Sequence, residues 1–254
     1  MTRSRVDHRQ GLSRADVHIW TAKVSARDSA TTDLLRILDE EEQERAARLT
    51  FAHDRVRFIQ THGIVRQILS SYCDTEAAAL TFVRNGQGKP YLVPQTNGPR
   101  LQFSVSHSGD YCVLALRLDD PIGIDIEEVR YLSRAIDIAK SYFTPEESRA
   151  LATVGEEHRC DTFFVWWTHK EAAVKALGLS LAANLGRVEF AFNPAGSLRL
   201  AAWDGHRSFA RKWFTRRLDP APGYIAAVAG VHPIRSLTLR TWDYPSGRTV
   251  LISP

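Results

Sequence analysis

The segment 123–128, with the sequence Gly-Ile-Asp-Ile-Glu-Glu, alternates apolar and acidic residues and constrains the fold of this chain more than any other stretch. In an extended strand, residues two apart point to the same face, so Asp125 and Glu127 share one face and the two isoleucines share the other. Two neighbouring carboxylates repel each other, and a cation between them relieves that repulsion. Oxygen ligands alone favour Mg²⁺ or Mn²⁺ over zinc. The segment by itself also fits a solvated edge of a half-buried strand.

A second segment, residues 163–178, predicts a helix that starts with a bulky aromatic run and ends at Gly178. Trp167, Glu171 and Lys175 are spaced by four residues, so they share one face of this helix. A surface Glu–Lys pair is the plainer interpretation of that spacing. Because the aromatic start indicates burial, we instead expect Glu171 and Lys175 to line a cleft.

Taken together and in this order, the two segments resemble the sequence pattern of the 4′-phosphopantetheinyl transferases of the Sfp-like (surfactin-synthetase-activating) type. The family pattern is Gly-Ile/Val-Asp-x-Glu followed by Trp-x-x-Lys-Glu-x-x-x-Lys, and it occupies residues 123–127 and 167–175 here. Two upstream elements also match the family, Gly-Lys-Pro at 88–90 and Phe-Ser-Val-Ser-His-Ser at 103–108. The resemblance covers roughly residues 42–230.

This resemblance implies an enzyme that transfers the 4′-phosphopantetheine group of coenzyme A to a serine of an apo acyl or peptidyl carrier protein. It also implies dependence on Mg²⁺ (or Mn²⁺) and release of adenosine 3′,5′-bisphosphate. Two other interpretations stay open: another Mg²⁺-dependent phosphotransferase or phosphoesterase, and a non-catalytic basic binding protein. The size of the chain favours a monomer acting in polyketide or nonribosomal-peptide metabolism over the small trimeric carrier-protein synthases.

The family pattern implies a role for each polar side chain in the two segments. Asp125, Glu127 and Glu171 are the predicted metal ligands. Glu171 is also the predicted base that takes the serine proton, and Lys175, one turn further on, is predicted to offset charge on the leaving phosphate. We expect Glu128 to point away from the metal.

The other candidates are predicted to bind coenzyme A through its phosphates. In the family the Ser106–His107 pair holds the 3′-phosphate and Lys89 lies near it. On the long catalytic helix we expect His169 to be exposed and Lys170 to meet substrate phosphates. The predicted coenzyme-binding residues are Arg45, Arg48, Arg57, Lys89, Ser106, His107 and Lys175.

Composition and charge narrow the class of partner. The chain has 254 residues, of which 44% are hydrophobic and 24% charged, as in ordinary globular proteins. Arginine supplies 27 of the 33 basic residues and the pI is near 9.1, which suits phosphate binding or reflects a general arginine bias. No stretch interleaves basic and aromatic residues, and no apolar run has the length of a membrane span. We therefore expect neither a nucleic-acid nor a membrane partner.

The cysteines and the N-terminus favour a cytoplasmic protein. Cys73, Cys112 and Cys160 are odd in number and far apart, so they form neither a metal spacing nor an evident disulfide framework. The polar, basic start of the chain lacks the apolar core of a signal peptide.

The order of helical and strand patterns predicts an α+β fold. The segments around Tyr111 and Tyr224 resemble each other faintly, and the family has two similar α+β halves related by pseudo-twofold symmetry, with the active site between them. We expect a flexible N-terminal extension at residues 1–15, an N-terminal half at 16–120, and a C-terminal half with its tail at 121–254.

Overall fold

Helices and strands are interspersed along the described part of the chain, which confirms the predicted α+β class. The computed structural model describes residues 12–24, 31–73, 75–94, 99–244 and 246–252. Most of the predicted N-terminal extension lies outside the described residues. No helix in these ranges is both long enough and apolar enough to cross a membrane.

Two helices of 22 residues each, α3 and α6, are the longest in the described part of the chain. Single turns of 3₁₀-helix occur at Ala77–Ala79 and Leu185–Arg187. The α-helices are α1 (Thr31–Arg36), α2 (Glu40–Arg48), α3 (Ala52–Cys73), α4 (Ala135–Tyr142), α5 (Pro145–Thr153), α6 (Glu156–Leu177), α7 (Leu181–Asn184) and α8 (Arg207–Ala210).

The strands form one five-stranded sheet, one three-stranded sheet and two hairpins, in the orders β12-β11-β1-β5-β4, β6-β10-β9, β2-β3 and β7-β8. Their bounds are β1 (Asp16–Lys23), β2 (Phe82–Arg84), β3 (Pro90–Leu92), β4 (Leu101–Ser108), β5 (Tyr111–Leu118), β6 (Ile122–Glu128), β7 (Val188–Phe192), β8 (Leu198–Trp203), β9 (Trp213–Leu218), β10 (Tyr224–Val231), β11 (Ser236–Asp243) and β12 (Arg248–Ile252).

Local side-chain chemistry sets where several helices begin and end. Helix α2 starts as a separate helix because Asp39 caps it, accepting a hydrogen bond from the backbone of Glu42 at 2.9 Å. A capping box also starts α5, with Thr144 and Glu147 bonded reciprocally. Gly178 ends α6 in the left-handed conformation at φ 65°, which glycine adopts without steric cost.

The two large sheets pack face to face, and each carries one long helix on its outer side. Apolar side chains of β1 and β5 meet those of β6 and β10 between the sheets. Helix α3 covers the five-stranded sheet and α6 covers the three-stranded sheet. The strands β4 and β6, one from each sheet, consequently lie side by side at the boundary.

The tail of the chain belongs to the first sheet, which corrects its expected place in the C-terminal half. Strand β11 pairs in parallel with β1, from Asp16 opposite Ser236 to Ala22 opposite Trp242. It has an apolar face toward each core: Leu239 packs between the sheets, and Trp242 meets Trp20 under α3 with ring centroids 5.8 Å apart. Sequence neighbours do not reveal such a distant parallel pairing.

Helix α6 approaches β6 very closely at Gly123. A Cβ atom at this glycine would lie 2.0 Å from the carbonyl oxygen of Ala172 and 2.4 Å from the amide nitrogen of Ala176. Because both neighbours are backbone atoms, a side chain here would force the helix away from the strand.

We expect Gly123→Ala to lower the free energy of unfolding by about 3 kcal/mol, because overpacking at a helix–sheet contact has no flexible side chain to absorb it. Urea denaturation measures the loss. Gly86→Ala is the matched control, since a Cβ there meets nothing within 4 Å and should change stability little. Equal stability of the two variants would contradict the close contact.

Candidate active site

A cavity of about 300 Å³ opens where β4, β6 and α6 meet, and we call it the acidic pocket. Val105 and Ile126 supply its apolar wall. The structure brings six of the predicted site residues together here: Ser106, His107, Asp125, Glu127, Glu171 and Lys175.

Asp125 is the most buried acid of the pocket, with 2% of its surface exposed. One of its oxygens, Oδ1, accepts hydrogen bonds from Ser106 Oγ at 2.8 Å and from Lys175 Nζ at 2.5 Å. The other oxygen, Oδ2, is buried and accepts no hydrogen bond from a nitrogen or hydroxyl donor of the described residues. A buried carboxylate oxygen left unsatisfied is costly, so this atom is suited to an additional positive ligand.

The pKa values of the other two acids of the pocket, Glu127 and Glu171, are raised. Burial, followed by the negative charge of Asp125, raises the pKa of Glu127 despite a hydrogen bond from Ser108. The same two causes raise the pKa of Glu171 to about 7, although Lys175 opposes the shift. The pocket thus contains more negative charge than its own cation stabilises.

Lys175 lies between the acids of β6 and α6. Burial disfavours its charge, but Asp125 and Glu171 outweigh that effect and raise its pKa. Its Nζ is 3.2 Å from Glu171 Oε2. Within the described ranges no three acidic, histidine or cysteine side chains are arranged, as they stand, to hold a metal ion. A metal between Asp125 and Glu171 would therefore require Lys175 to turn away from Asp125.

A second cavity of about 400 Å³ adjoins the acidic pocket through Val105 and His107, which line both; we call it the Arg45 pocket. His62 and Arg84 add basic groups that the sequence analysis did not single out. The His107 side chain is exposed at the junction. Partial burial of its ring, then the positive charges of His62, Lys175 and Arg57, lower its pKa.

A buried arginine balances the acids of the Arg45 pocket. Arg66 is fully buried and pairs with both Asp39 and Glu42, the latter at 2.6 Å. Glu42 also contacts His62 at 2.8 Å. Glu41, which also lines the pocket, pairs with Arg84 at 3.4 Å. Because each of these acids already has a cationic partner, Arg45 and His107 keep the pocket suitable for an anion. The sequence analysis did not select Arg66, because the chain has many arginines and the burial of this one within α3 cannot be inferred from the sequence.

Three predicted coenzyme ligands lie outside the linings of the two pockets. Lys89 Nζ donates hydrogen bonds to the carbonyl oxygens of Ile122, Lys175 and Ala176 at 3.1, 2.8 and 3.0 Å, and burial lowers its pKa to about 8. Arg48 pairs with Glu44 at 3.6 Å on the exposed side of α2. Arg57 is half-buried and pairs with Asp110 at 2.9 Å. In this structure, all three side chains bond to other groups of the protein.

Two expectations for α6 were wrong. His169 is buried, not exposed; it bonds Val165 O at 2.7 Å, and burial lowers its pKa to about 4. Lys170 is also fully buried, and its Nζ donates to Glu147 Oε2 at 2.6 Å and to Val188 O. Since α5 and β7 also pack against α6, residues off the Glu171 face point into the core that α6 shares with these elements and the three-stranded sheet.

Two family models match the segments of the chain that form this site. The family model described as the 4′-phosphopantetheinyl transferase superfamily matches residues 121–229, and the one described as 4′-phosphopantetheinyl transferase, N-terminal, matches residues 22–118. The two matches together span both strands of the cleft and helix α6.

Similar enzymes cover most of the chain. It is 33% identical to the 4′-phosphopantetheinyl transferase HetI of Nostoc sp. (strain PCC 7120) over 84% of this chain and 87% of that protein. It is 29% identical to a 4′-phosphopantetheinyl transferase of Bacillus subtilis, over 79% of this chain and 85% of that protein. Identity to the Sfp transferase of Bacillus subtilis strain 168 is 27%, over 78% and 84% respectively. The chain therefore belongs to the 4′-phosphopantetheinyl transferase superfamily, and it is an enzyme that transfers the 4′-phosphopantetheine group from coenzyme A to a carrier protein, as its paired motifs predicted.

Proposed function

We propose that Asp125, Glu127 and Glu171 hold Mg²⁺ in the acidic pocket while the pyrophosphate of coenzyme A is cleaved. The observation that carries this proposal is Asp125 Oδ2, a buried carboxylate oxygen that accepts no hydrogen bond from a nitrogen or hydroxyl donor of the described residues, next to two acids with raised pKa values. A set of oxygen ligands matches a hard divalent cation. When bound, Mg²⁺ supplies positive charge that offsets the charge growing on the pyrophosphate.

Glu171 is the proposed base for the acceptor serine of the carrier. In the metal-free protein, burial and the charge of Asp125 raise its pKa to about 7, which makes this carboxyl more basic than an ordinary glutamate. Its position beside the pocket opening lets the serine approach directly or through one water. Once Lys175 has turned away from Asp125, its ammonium group can offset charge on the leaving phosphate.

Coenzyme A is proposed to lie across both pockets, because they join at His107. Its pyrophosphate then lies in the acidic pocket and its nucleotide part in the Arg45 pocket. His107 and Arg45 are placed to contact the 3′-phosphate. Ser106, already bonded to Asp125 and Lys175, is placed between the two ends of the coenzyme.

The remaining details of the function are also proposals. The acceptor is a serine of an apo acyl or peptidyl carrier protein, adenosine 3′,5′-bisphosphate is released, and the enzyme acts as a cytoplasmic monomer in secondary metabolism. Cys112 and Cys160, which form no disulfide within the described part of the chain, support a reducing compartment.

Intact-mass measurement of an apo carrier protein tests the function. Incubation with the wild-type enzyme, coenzyme A and Mg²⁺ should add the mass of one phosphopantetheine arm. Asp125→Ala should slow this transfer at least about 100-fold, because it deletes the most buried of the proposed metal ligands. Asp137→Ala, which changes an exposed acid of α4, is the matched control and should be as fast as wild type.

Each rival function gives a different result in the same assay. A phosphoesterase would consume coenzyme A without changing the carrier mass, and a non-catalytic binding protein would consume none. Near-normal transfer by Asp125→Ala would refute the metal assignment while leaving the reaction itself established.

Metal binding should strengthen with rising pH. A metal ligand must be deprotonated, and Glu171 has a pKa of about 7 in the metal-free protein. Mg²⁺ affinity should accordingly be about tenfold weaker at about pH 6 than at about pH 8, and the protons released per bound ion should fall from about 0.9 to about 0.1 over the same range. Calorimetric titration in buffers of different ionisation enthalpy measures both quantities. Equal affinities at the two pH values would show that Glu171 does not bind the metal.

His107 and the 3′-phosphate can be tested as a pair. His107→Ala should raise the KM for coenzyme A by the loss of one charge-assisted hydrogen bond, about 1.5–3 kcal/mol, with a smaller effect on kcat, because the 3′-phosphate does not react. Replacing coenzyme A by 3′-dephospho-coenzyme A should reproduce this defect in the wild type and add little to the variant. Fully additive losses would show that His107 does not contact the 3′-phosphate.

A further inference from the structure

Strand β4 presents three serines at alternate positions toward the edge of β6: Ser104, Ser106 and Ser108, which we call the serine row. These two strands are the edges of different sheets, and no backbone ladder joins them along their described lengths. The hydroxyl groups of the serine row make the hydrogen bonds across this boundary instead. Period-two alternation places all three on the same side of β4.

The three serines do different things at this boundary. Ser104 Oγ accepts a hydrogen bond from the backbone N–H of Ile124 at 3.1 Å. Ser106 Oγ donates to Asp125 Oδ1 and lies 3.1 Å from Lys175 Nζ. At one end, the serine row therefore accepts a hydrogen bond from a backbone N–H on the unpaired edge of β6. Further along, it donates hydrogen bonds to the acids of that strand.

Ser108 is the member that joins the backbone of β6 to an acid. Its Oγ accepts a hydrogen bond from the N–H of Glu128 at 3.0 Å and donates one to Glu127 Oε2 at 3.1 Å. Accepting the first bond fixes the hydroxyl, so its proton points at the carboxylate. Ser108 thus connects a rigid point of the strand to a side chain with more freedom.

Among the described residues, Glu127 has no comparably close second contact. Its other partner there is Arg130, an exposed side chain 3.5 Å from the same oxygen. Asp125, on the same face of β6, repels it. Without the Ser108 hydroxyl, this repulsion would favour rotation of the Glu127 carboxylate away from Asp125 and out toward Arg130 and solvent.

We propose that Ser108 is a positioning residue that holds the Glu127 carboxylate beside Asp125, so that both acids face the proposed metal. The inference rests on the metal site proposed above. It assigns Ser108 no contact with coenzyme A or with the reacting atoms. A partner that orients a metal ligand typically changes metal affinity 10- to 100-fold when removed, and we expect about tenfold or more here.

The test compares two alanine substitutions in one strand. Ser108→Ala removes the bond to Glu127, whereas Ser104→Ala removes only a backbone bond of the same boundary. Direct binding of Mn²⁺ to each full-length variant, without coenzyme A, is measured by electron paramagnetic resonance of the free ion. Ser108→Ala should bind Mn²⁺ about tenfold more weakly than wild type, Ser104→Ala within about twofold of it, and Ser108→Thr close to wild type.

Kinetics provide a second readout. Transfer by Ser108→Ala should need more Mg²⁺ to reach half its maximal rate, while kcat at saturating Mg²⁺ and the KM for coenzyme A stay near wild type. In a Glu127→Gln background, Ser108→Ala should weaken Mn²⁺ binding no further, because both changes act on the same ligand. If Ser108→Ala does not fold, Ser108→Cys, a weaker donor of similar size, takes its place and should show an intermediate loss.

Three results would overturn the proposal, and they are distinguishable. Normal Mn²⁺ affinity in Ser108→Ala would show that Glu127 needs no support. An equal loss in Ser104→Ala would show that the serine row acts only on the structure of the boundary. Absence of Mn²⁺ binding by the wild type would refute the metal site itself, and with it the role of Ser108.

Discussion

The contact between α6 and β6 at Gly123 is the interaction on which the rest of the site depends. With no side chain on this residue, backbone atoms of Ala172 and Ala176 come against the strand. Glu171 and Lys175 occupy the helix positions just before these two alanines, so the same approach brings them over the acids of β6. A wider spacing of helix and strand would move Glu171 away from Asp125 and Glu127, and the three carboxylates would no longer line one pocket.

The second constraint is electrostatic. Asp125, Glu127 and Glu171 are partly or fully withdrawn from water, and Lys175 is close enough to Asp125 and Glu171 to stabilise their charge. Lys175 is the cation that stabilises these acids in the protein alone, and under the proposed mechanism it would exchange Asp125 for a phosphate of the coenzyme. Buried charges whose partners can change are typical of sites that bind and release ionic substrates.

Much of the fold follows from local patterns in the sequence. The alternation in 123–128 requires a strand with its acids on one face, and the spacing from Trp167 to Lys175 requires a helix with its Glu and Lys on another. Cap residues such as Asp39 and Thr144 set helix starts within one residue because their hydrogen bonds involve only near neighbours. The paired motifs lie within one strand and one helix, and they were sufficient to identify the family and the acids that line the acidic pocket.

What the sequence by itself determined is therefore the set of elements, their polar faces and the enzyme class. Only the tertiary structure decided which charged side chains reach the cleft. Lys170 pairs with Glu147 of α5 and Lys89 binds carbonyl oxygens at the end of α6, although both stand in motifs that suggest phosphate. It also decided that β11 pairs with β1 and that Ser108 donates a hydrogen bond to Glu127. These outcomes depend on contacts between residues far apart in the chain, where burial and hydrogen-bond geometry, which local patterns do not contain, determine the partner of each group.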